Sequence, residues 1–298
     1  MKRVLIIKLG ALGDVVRSTI FISEFEKDYE IHWLTSQKSK DVLSSQKIKR
    51  LYFYENDNDK SQLKNTEFDL VLCLEEDLQL LEYVSKIKSQ KTIGHFLNNG
   101  KVDYTQECNY WLDMSFVSKI HDKETADKIK LQNKKSVNQI WMEMISGKDG
   151  WKSQEYDIGT TPKNINGVIG FIDISESKWP NKFWTGYPDL KQKLEADGYQ
   201  VISLGMKQTV KEHIEDINNC ELVVCGDTSG MHIALALGKK VVAIFNCTPP
   251  NEIYDYGRMK KIISPLLEKY FLKRTNDLEA QSKVSINEVY GVIKKLIN

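Results

Sequence analysis

Residues 223–238 read Val223-Val224-Cys225-Gly226-Asp227-Thr228-Ser229-Gly230-Met231-His232-Ile233-Ala234-Leu235-Ala236-Leu237-Gly238. The stretch opens as a short apolar strand, passes through a glycine-flanked polar turn and continues as a helix of small and apolar residues. A second apolar run, Val241-Val242-Ala243-Ile244-Phe245, follows at once. Continuous apolar runs of this length are the mark of strands buried on both faces, as in a parallel sheet covered by helices. The turn then falls at the carboxyl end of a strand and the amino end of a helix. Backbone N–H groups without helical partners and the positive end of the helix dipole favour an anion there. Thr228 and Ser229 add hydroxyls, so the turn reads either as a phosphate seat or as a helix cap supplied by Asp227 or Thr228. His232 reads as a further member of the seat or as a helix residue with a satisfied ring.

Outward from this turn the same alternation fills the chain. Val4–Ile7 reads as a strand that opens on Lys8-Leu9-Gly10-Ala11-Leu12-Gly13-Asp14, with a helix from Asp14 through Phe25. A strand, a glycine loop and a helix form the opening of a Rossmann-like unit, but Gly10 and Gly13 do not complete the dinucleotide fingerprint, so a bound NAD is not expected. Further strands are expected at 31–34, 50–53, 68–74 and 92–94, and helices at 38–45, 78–89 and 137–145. Residues 56–65 read as a polar surface loop. From Asn98 to Lys135 the periodicity weakens, and Tyr104, Tyr110, Trp111 and Phe116 read as one wall of a binding cleft or as anchors of a loop.

Residues 147–166 are rich in polar residues and glycine, which sets a boundary between domains 1–150 and 165–298. The alternation restarts with strands at 168–172 and 200–204, helices at 187–197 and 210–218, and a strand at 261–264. The chain closes on a helix at 285–296 with Ser285 and Glu288 as a capping box. Ligands of open α/β sheets bind at the carboxyl ends of the strands, so two such domains predict a site in the cleft between them.

Composition narrows the function. The 298 residues are 41% hydrophobic and 28% charged with a formal net charge of +1, a soluble globular balance that gives no footing for a nucleic-acid binder. Cys73, Cys108, Cys220, Cys225 and Cys247 contain no C-x-x-C pair, which predicts reduced thiols, a cytoplasmic setting and no zinc site. Neither a signal peptide nor a membrane-spanning run is expected, so membrane contact is expected to be peripheral.

With these motifs in order, the sequence resembles glycosyltransferase family 9, the ADP-heptose lipopolysaccharide heptosyltransferases, over most of its length. Lys8-Leu9-Gly10-Ala11-Leu12-Gly13-Asp14-Val15 is similar to the family's glycine–aspartate loop. Lys178-Trp179-Pro180 followed by Trp184 is similar to its K-W-P segment. Asp227-Thr228-Ser229-Gly230-Met231-His232 with Ala234 is similar to its D-[TS]-G-x-x-H-x-A signature, with the glycine displaced by one. Thr248-Pro249-Pro250 with Ile253 and Tyr256-Gly257 is a weaker match.

The resemblance implies a GT-B fold, two Rossmann-like domains facing a cleft, and inverting, metal-independent transfer of a heptose or related sugar from ADP-heptose or another nucleotide sugar. The implied acceptor is a lipid-linked saccharide of lipopolysaccharide core type, at the inner-membrane face. It implies Asp14 as the base that deprotonates the acceptor hydroxyl, and Lys178 or Lys182 as the cation on the leaving diphosphate. Asp227, Thr228, Ser229, Gly230 and His232 complete the donor seat, with no cofactor and no metal. Two features depart from the family pattern: Gly205-Met206-Lys207-Gln208 replaces a longer insert bearing a ribose-side carboxylate, and Ser229 stands where a glycine is usual. Another acceptor, such as a protein, and a non-catalytic nucleotide-sugar-binding subunit remain the alternatives.

Overall fold

The computed structural model describes residues 1–109, 111, 121–147, 151–174 and 177–297. Tyr110 and Phe116, named above, lie outside the described residues. The chain forms two compact units, Met1–Ala126 with Val137–Thr160, and Asp127–Ser136 with Thr161–Asn298.

Among the described residues the first unit is built on a six-stranded sheet. Its strands are β1 (Lys2–Ile7), β2 (Tyr29–Thr35), β3 (Ile48–Phe53), β4 (Glu67–Cys73), β5 (Lys88–Asn98) and β6 (Lys101–Tyr104). Their order is β3-β2-β1-β4-β5-β6, parallel except for β6, which pairs antiparallel with β5. The chain moves outward from β1 to β3 and then resumes on the other side of β1. The switch point, where a doubly wound sheet leaves a crevice, therefore lies between β1 and β4. Leu5, Ile7, Leu34, Val71 and Cys73 from the central strands pack on Leu80, Leu81 and Val84 of the helix Leu78–Val84.

The second unit has a five-stranded, all-parallel sheet among the described residues: β7 (Val168–Phe171), β8 (Gln200–Ser203), β9 (Leu222–Gly226), β10 (Lys240–Phe245) and β11 (Met259–Ile263). The order β11-β10-β9-β7-β8 puts its switch point between β7 and β9. Ile169, Phe171, Val224, Val242 and Ile244 face Leu190 and Leu194 of the helix Tyr187–Ala196 and Val289 and Ile293 of the helix Ile286–Ile297. The continuous apolar runs in the sequence are these central strands.

Several local expectations are corrected. Residues 57–65 form a helix, not a loop. The Asn56 side chain accepts from the N–H groups of Asn58 and Asp59, Lys60 pairs with Asp57 at 2.7 Å, and Leu63 alone is buried. Capping and ion pairing hold a helix there that carries no hydrophobic period. The helix that starts at Leu78 ends at Val84, because 88–98 is one long strand rather than the three-residue strand expected at 92–94. It turns at Asn99-Gly100, both at positive φ (49° and 75°), into β6, the dipeptide and geometry of a tight hairpin. Residues 37–43 are a 3₁₀ helix, and the first helix is split at Thr19 into Leu12–Ser18 and Ile20–Phe25. The polar stretch after Asn98 includes the helix Lys123–Gln132. Trp111 is buried and stacks on His95 with ring centroids 5.3 Å apart, so it anchors its segment to the core. A complete capping box is formed by Thr209 and Glu212 at the helix Val210–Asn218.

All five cysteines are buried free thiols. Burial pushes Cys108 up to about 11 and Cys73, Cys220 and Cys247 up to about 12, which leaves none of them a nucleophile at neutral pH. Among the described residues no helix is long and apolar enough to cross a membrane.

Candidate active site

The turn at 227–229 sits where the second sheet's switch point puts it, directly after β9. Thr228 is extended (φ −132°, ψ 168°) and caps the helix Ser229–Ala236, its Oγ1 accepting from the Met231 N–H at 3.4 Å. Capping thus falls to Thr228, and the Asp227 carboxylate is turned to other partners. Lys182 Nζ is 3.3 Å from Asp227 Oδ2, and His232 Nε2 is 4.0 Å from Oδ1. Asp227, Thr228 and Ser229 are half-buried, while Gly230 and His232 are buried. Among the described residues the backbone N–H groups of Ser229 and Gly230, the first two of the helix, donate to no backbone carbonyl. Gly230 is small for a reason: a Cβ there would lie 2.4 Å from Ile172 Cδ1 and 2.9 Å from His213 Nε2.

Lys182 reaches the turn because its loop is stapled from several sides. It ends the 3₁₀ turn Pro180–Lys182. Asn181, fully buried, donates to Thr275 Oγ1 at 3.2 Å and accepts from the Asp277 N–H at 2.9 Å. Gln281 Nε2 donates to the Pro180 carbonyl at 3.2 Å, and Asn246 Nδ2 to the Phe183 carbonyl at 2.9 Å. Trp184 is buried and donates from Nε1 to the Val284 carbonyl at 3.0 Å. Lys182 Nζ and Arg274 Cζ both lie over the Trp179 ring, 5.4 and 4.6 Å from its centroid. Lys178, four residues earlier, is exposed and stands outside this cluster. Of the two lysines singled out in the sequence, the one set against Asp227 is Lys182.

The departure near residue 205 is visible as a short connection. Between Ser203 and the helix Val210–Asn218 there is neither strand nor helix; Lys207 pairs with Asp216 at 2.5 Å and Met206 is 86% exposed.

In the first unit, Asp14 lies in the first turn of the helix Leu12–Ser18, whose N-cap is Ala11, so Asp14 is not the cap. Its side chain is 39% exposed, and Oδ1 accepts from Arg17 Nη1 at 3.1 Å. Arg17 is nearly buried and lies over the Trp141 ring at 5.7 Å. Asp14 thus has one oxygen fixed by a cation and keeps exposure, an arrangement that can accept a proton from a bound hydroxyl. Gly10 follows Leu9 in a loop whose backbone is held by Glu75, a residue the sequence reading did not single out. Arg17 was missed likewise, although its spacing of three from Asp14 on a helix is a local signal. Gly13 falls within that same helix.

The site residues therefore fall into two groups: Asp227, Thr228, Ser229, Gly230, His232 and Lys182 in the second unit, and Asp14, Gly10 and Gly13 in the first. Among the described residues no three His, Cys, Asp or Glu side chains are placed to hold a metal ion.

Comparison with known proteins bears out the resemblance read from the motifs. The family model described as glycosyltransferase family 9 (heptosyltransferase) matches residues 206–281. Lipopolysaccharide heptosyltransferase 1 of Campylobacter coli is 25% identical, over 86% of this chain and 90% of that protein. Among solved structures, the glycosyl transferase family 9 protein of Veillonella parvula aligns with a TM-score of 0.71 at 15% identity, over 99% of this chain and 97% of its own. The E. coli heptosyltransferase WaaC with ADP aligns with a TM-score of 0.68 at 13% identity, over 99% of each chain. The iron-containing dodecameric glycosyltransferase TibC of enterotoxigenic E. coli aligns with a TM-score of 0.59 at 16% identity, over 99% of this chain and 76% of that one. The two units, each with a parallel sheet, are the mixed α/β fold of these GT-B-like structures.

Proposed function

We propose that this chain, a glycosyltransferase of the family 9 kind, moves a heptose or related sugar from ADP-heptose to a saccharide acceptor of lipopolysaccharide core type, with inversion and without a metal. The observation that carries the reading is the seat after β9. There Lys182 stands 3.3 Å from Asp227, beside the Ser229 and Gly230 N–H groups and the Thr228 and Ser229 hydroxyls. A departing nucleoside diphosphate needs preorganised donors and positive charge where its own negative charge develops. The Lys182 ammonium is a three-donor cation, and it is set against Asp227 at the turn. Asp227 keeps that ammonium at the turn, and Trp179 shields its flank.

In this reading Asp14 takes the proton of the acceptor hydroxyl. The hydroxyl oxygen attacks the anomeric carbon, the bond from that carbon to the diphosphate oxygen breaks, and the diphosphate leaves into the Lys182 seat. Attack from the face opposite the leaving group inverts the anomeric centre. Arg17 holds one carboxylate oxygen of Asp14 and leaves the other for the proton. The acceptor is read as a lipid-linked glycan met at the inner face of the membrane, by a protein in peripheral contact. The likeness of the chain to the Campylobacter coli enzyme, whose printed name is lipopolysaccharide heptosyltransferase 1, supports the sugar and acceptor class.

The reading is tested by thermal melting with ADP, ADP-heptose, UDP and NAD, together with a transfer assay on wild type and Asp14→Ala. A ligand at about 100 times its Kd stabilises the native state by about 2.7 kcal/mol. ADP and ADP-heptose are expected to raise the melting temperature and NAD is not. Asp14→Ala is expected to lose transfer while keeping ADP binding, and EDTA is expected to leave wild-type transfer unchanged. Stabilisation by NAD but not by ADP refutes the donor; full transfer by Asp14→Ala refutes the base; loss of transfer in EDTA refutes metal independence.

A further inference from the structure

The switch point of the first unit holds an anion, and the chain supplies it. Glu75 lies two residues past the end of β4 and 65 positions beyond Gly10. Its Oε1 accepts from the Leu9 N–H at 2.7 Å and from the Gly10 N–H at 2.9 Å. Lys8 Nζ stands 3.0 Å from the same oxygen. The Glu75 and Lys8 side chains are only 16% and 11% exposed. Two successive backbone N–H groups and a lysine ammonium converging at the crevice of a doubly wound sheet are the donors that otherwise take a phosphate oxygen. Strand pairing fixes both partners. Leu74 N–H donates to the Ile7 carbonyl at 3.0 Å and Lys8 N–H to the Leu34 carbonyl at 3.1 Å, so the ends of β1, β2 and β4 are bound together up to the loop.

The loop passes directly into the helix that bears Asp14. Ala11 holds a left-handed φ of 48°, a conformation costly for a residue with a Cβ. Its carbonyl accepts from the N–H groups of Asp14 at 2.8 Å and Val15 at 3.1 Å. Only Ala11 separates the backbone that Glu75 grips from the helix whose first turn holds Asp14, so displacement of Leu9 and Gly10 carries Asp14 with it.

We infer that Glu75 is a built-in anion that occupies the phosphate-type site of the first unit's glycine loop, and that it acts as a positioning residue for Asp14. The loop therefore takes no phosphate of the sugar nucleotide while Glu75 is in place, and once the carboxylate is removed it accepts a small free anion. The first half of the inference stands on the geometry alone; the second rests on the reading of Asp14 as the base.

The experiment compares the full-length wild type, Glu75→Ala and Glu75→Gln. Thermal melting is measured in potassium formate, in inorganic phosphate and in potassium chloride of equal ionic strength. Glu75→Ala, which leaves the three donors around an empty space, is expected to melt below wild type and to regain part of the loss in formate or phosphate but not in chloride. Wild type and Glu75→Gln, whose site stays filled, are expected to gain nothing specific. Equal responses of all three proteins to formate and phosphate, or no response by Glu75→Ala, overturn the anion site. In the transfer assay Glu75→Gln is expected to lower kcat about tenfold through misplacement of the base, with the donor KM within about twofold of wild type. A raised donor KM with kcat intact overturns the positioning role and places the nucleotide at this loop. If Glu75→Ala does not fold, this split in Glu75→Gln decides. If wild type transfers from no sugar nucleotide, the transferase reading fails and the melting arm alone decides the anion site.

Discussion

Gly226 is the residue on which the donor seat's geometry turns, and Gly226→Ala tests it. Gly226 is buried at the end of β9, paired with Ile244 of β10. A Cβ there would lie 2.4 Å from the Lys182 carbonyl oxygen and 3.4 Å from its carbon. Ordinary contacts of a Cβ begin at 3.4 Å, so the Lys182 backbone must retreat by about 1 Å, or β9 must do so. Neither is free to move. The 182 loop is tied through Asn181, Pro180 and Phe183, and β9 is clamped between β7 and β10. Overpacking of this kind costs about 1–3 kcal/mol. At about 2–4 °C per kcal/mol for units of this size, the melting temperature should fall by about 2–12 °C.

The same retreat would stretch the Lys182–Asp227 separation, 3.3 Å in the native chain, past ion-pair range. ADP affinity is then expected to drop about tenfold, which is 1.4 kcal/mol. The assay is thermal melting with and without ADP, joined to calorimetric titration of ADP. Gly291→Ala is the control: it lies in the helix Ile286–Ile297 with nothing within 4 Å of its Cβ, and should be neutral or stabilising by about 0.5–1 kcal/mol. If Gly226→Ala melts with wild type and binds ADP equally well, the close approach of the 182 loop to β9 is not what builds the seat.

The two lysines should separate in one titration: Lys182→Met is expected to weaken ADP binding at least about tenfold and Lys178→Met by less than about twofold, and the reverse order would move the phosphate cation to Lys178. Acidification should destabilise the protein. Burial first, against the hydrogen bond that His32 Nε2 donates to Glu30, holds His32 below its ordinary 6.5, and burial does the same to His213. The folded state then favours neutral imidazoles, so their contribution is complete above 6.5 and is lost as pH falls through that value towards the depressed native ones. Melting temperatures read from about pH 7 down to about pH 5 should fall, with a shallower slope in His32→Gln; a flat profile in wild type would contradict it.

Much of the fold was legible because its central strands are buried on both faces. Val4–Ile7, Val223–Cys225 and Val241–Phe245 are apolar without interruption, and turn chemistry follows each of them. The polar helix 57–65 and the β5–β6 hairpin were not read, since the first has one buried apolar residue and the second runs through charged and polar side chains. The Asn99-Gly100 turn was present in the sequence as a signal and could have marked the hairpin.

By itself the sequence determined two runs of alternating strands and helices, the polar turn from Asp227 to His232, and an aspartate in the first turn after the first glycine loop. Each of these is written in neighbouring residues, where burial period, glycine and capping chemistry act over a few positions. Only the tertiary structure decided that Lys182 rather than Lys178 meets Asp227, and that Glu75 fills the loop at Leu9 and Gly10. Those contacts span 45 and about 65 positions, and they follow from strand order: β7 beside β9 in one sheet and β1 beside β4 in the other. A four-residue choice between lysines is settled by where Asn181 is anchored, and that anchor lies nearly a hundred residues further along the chain.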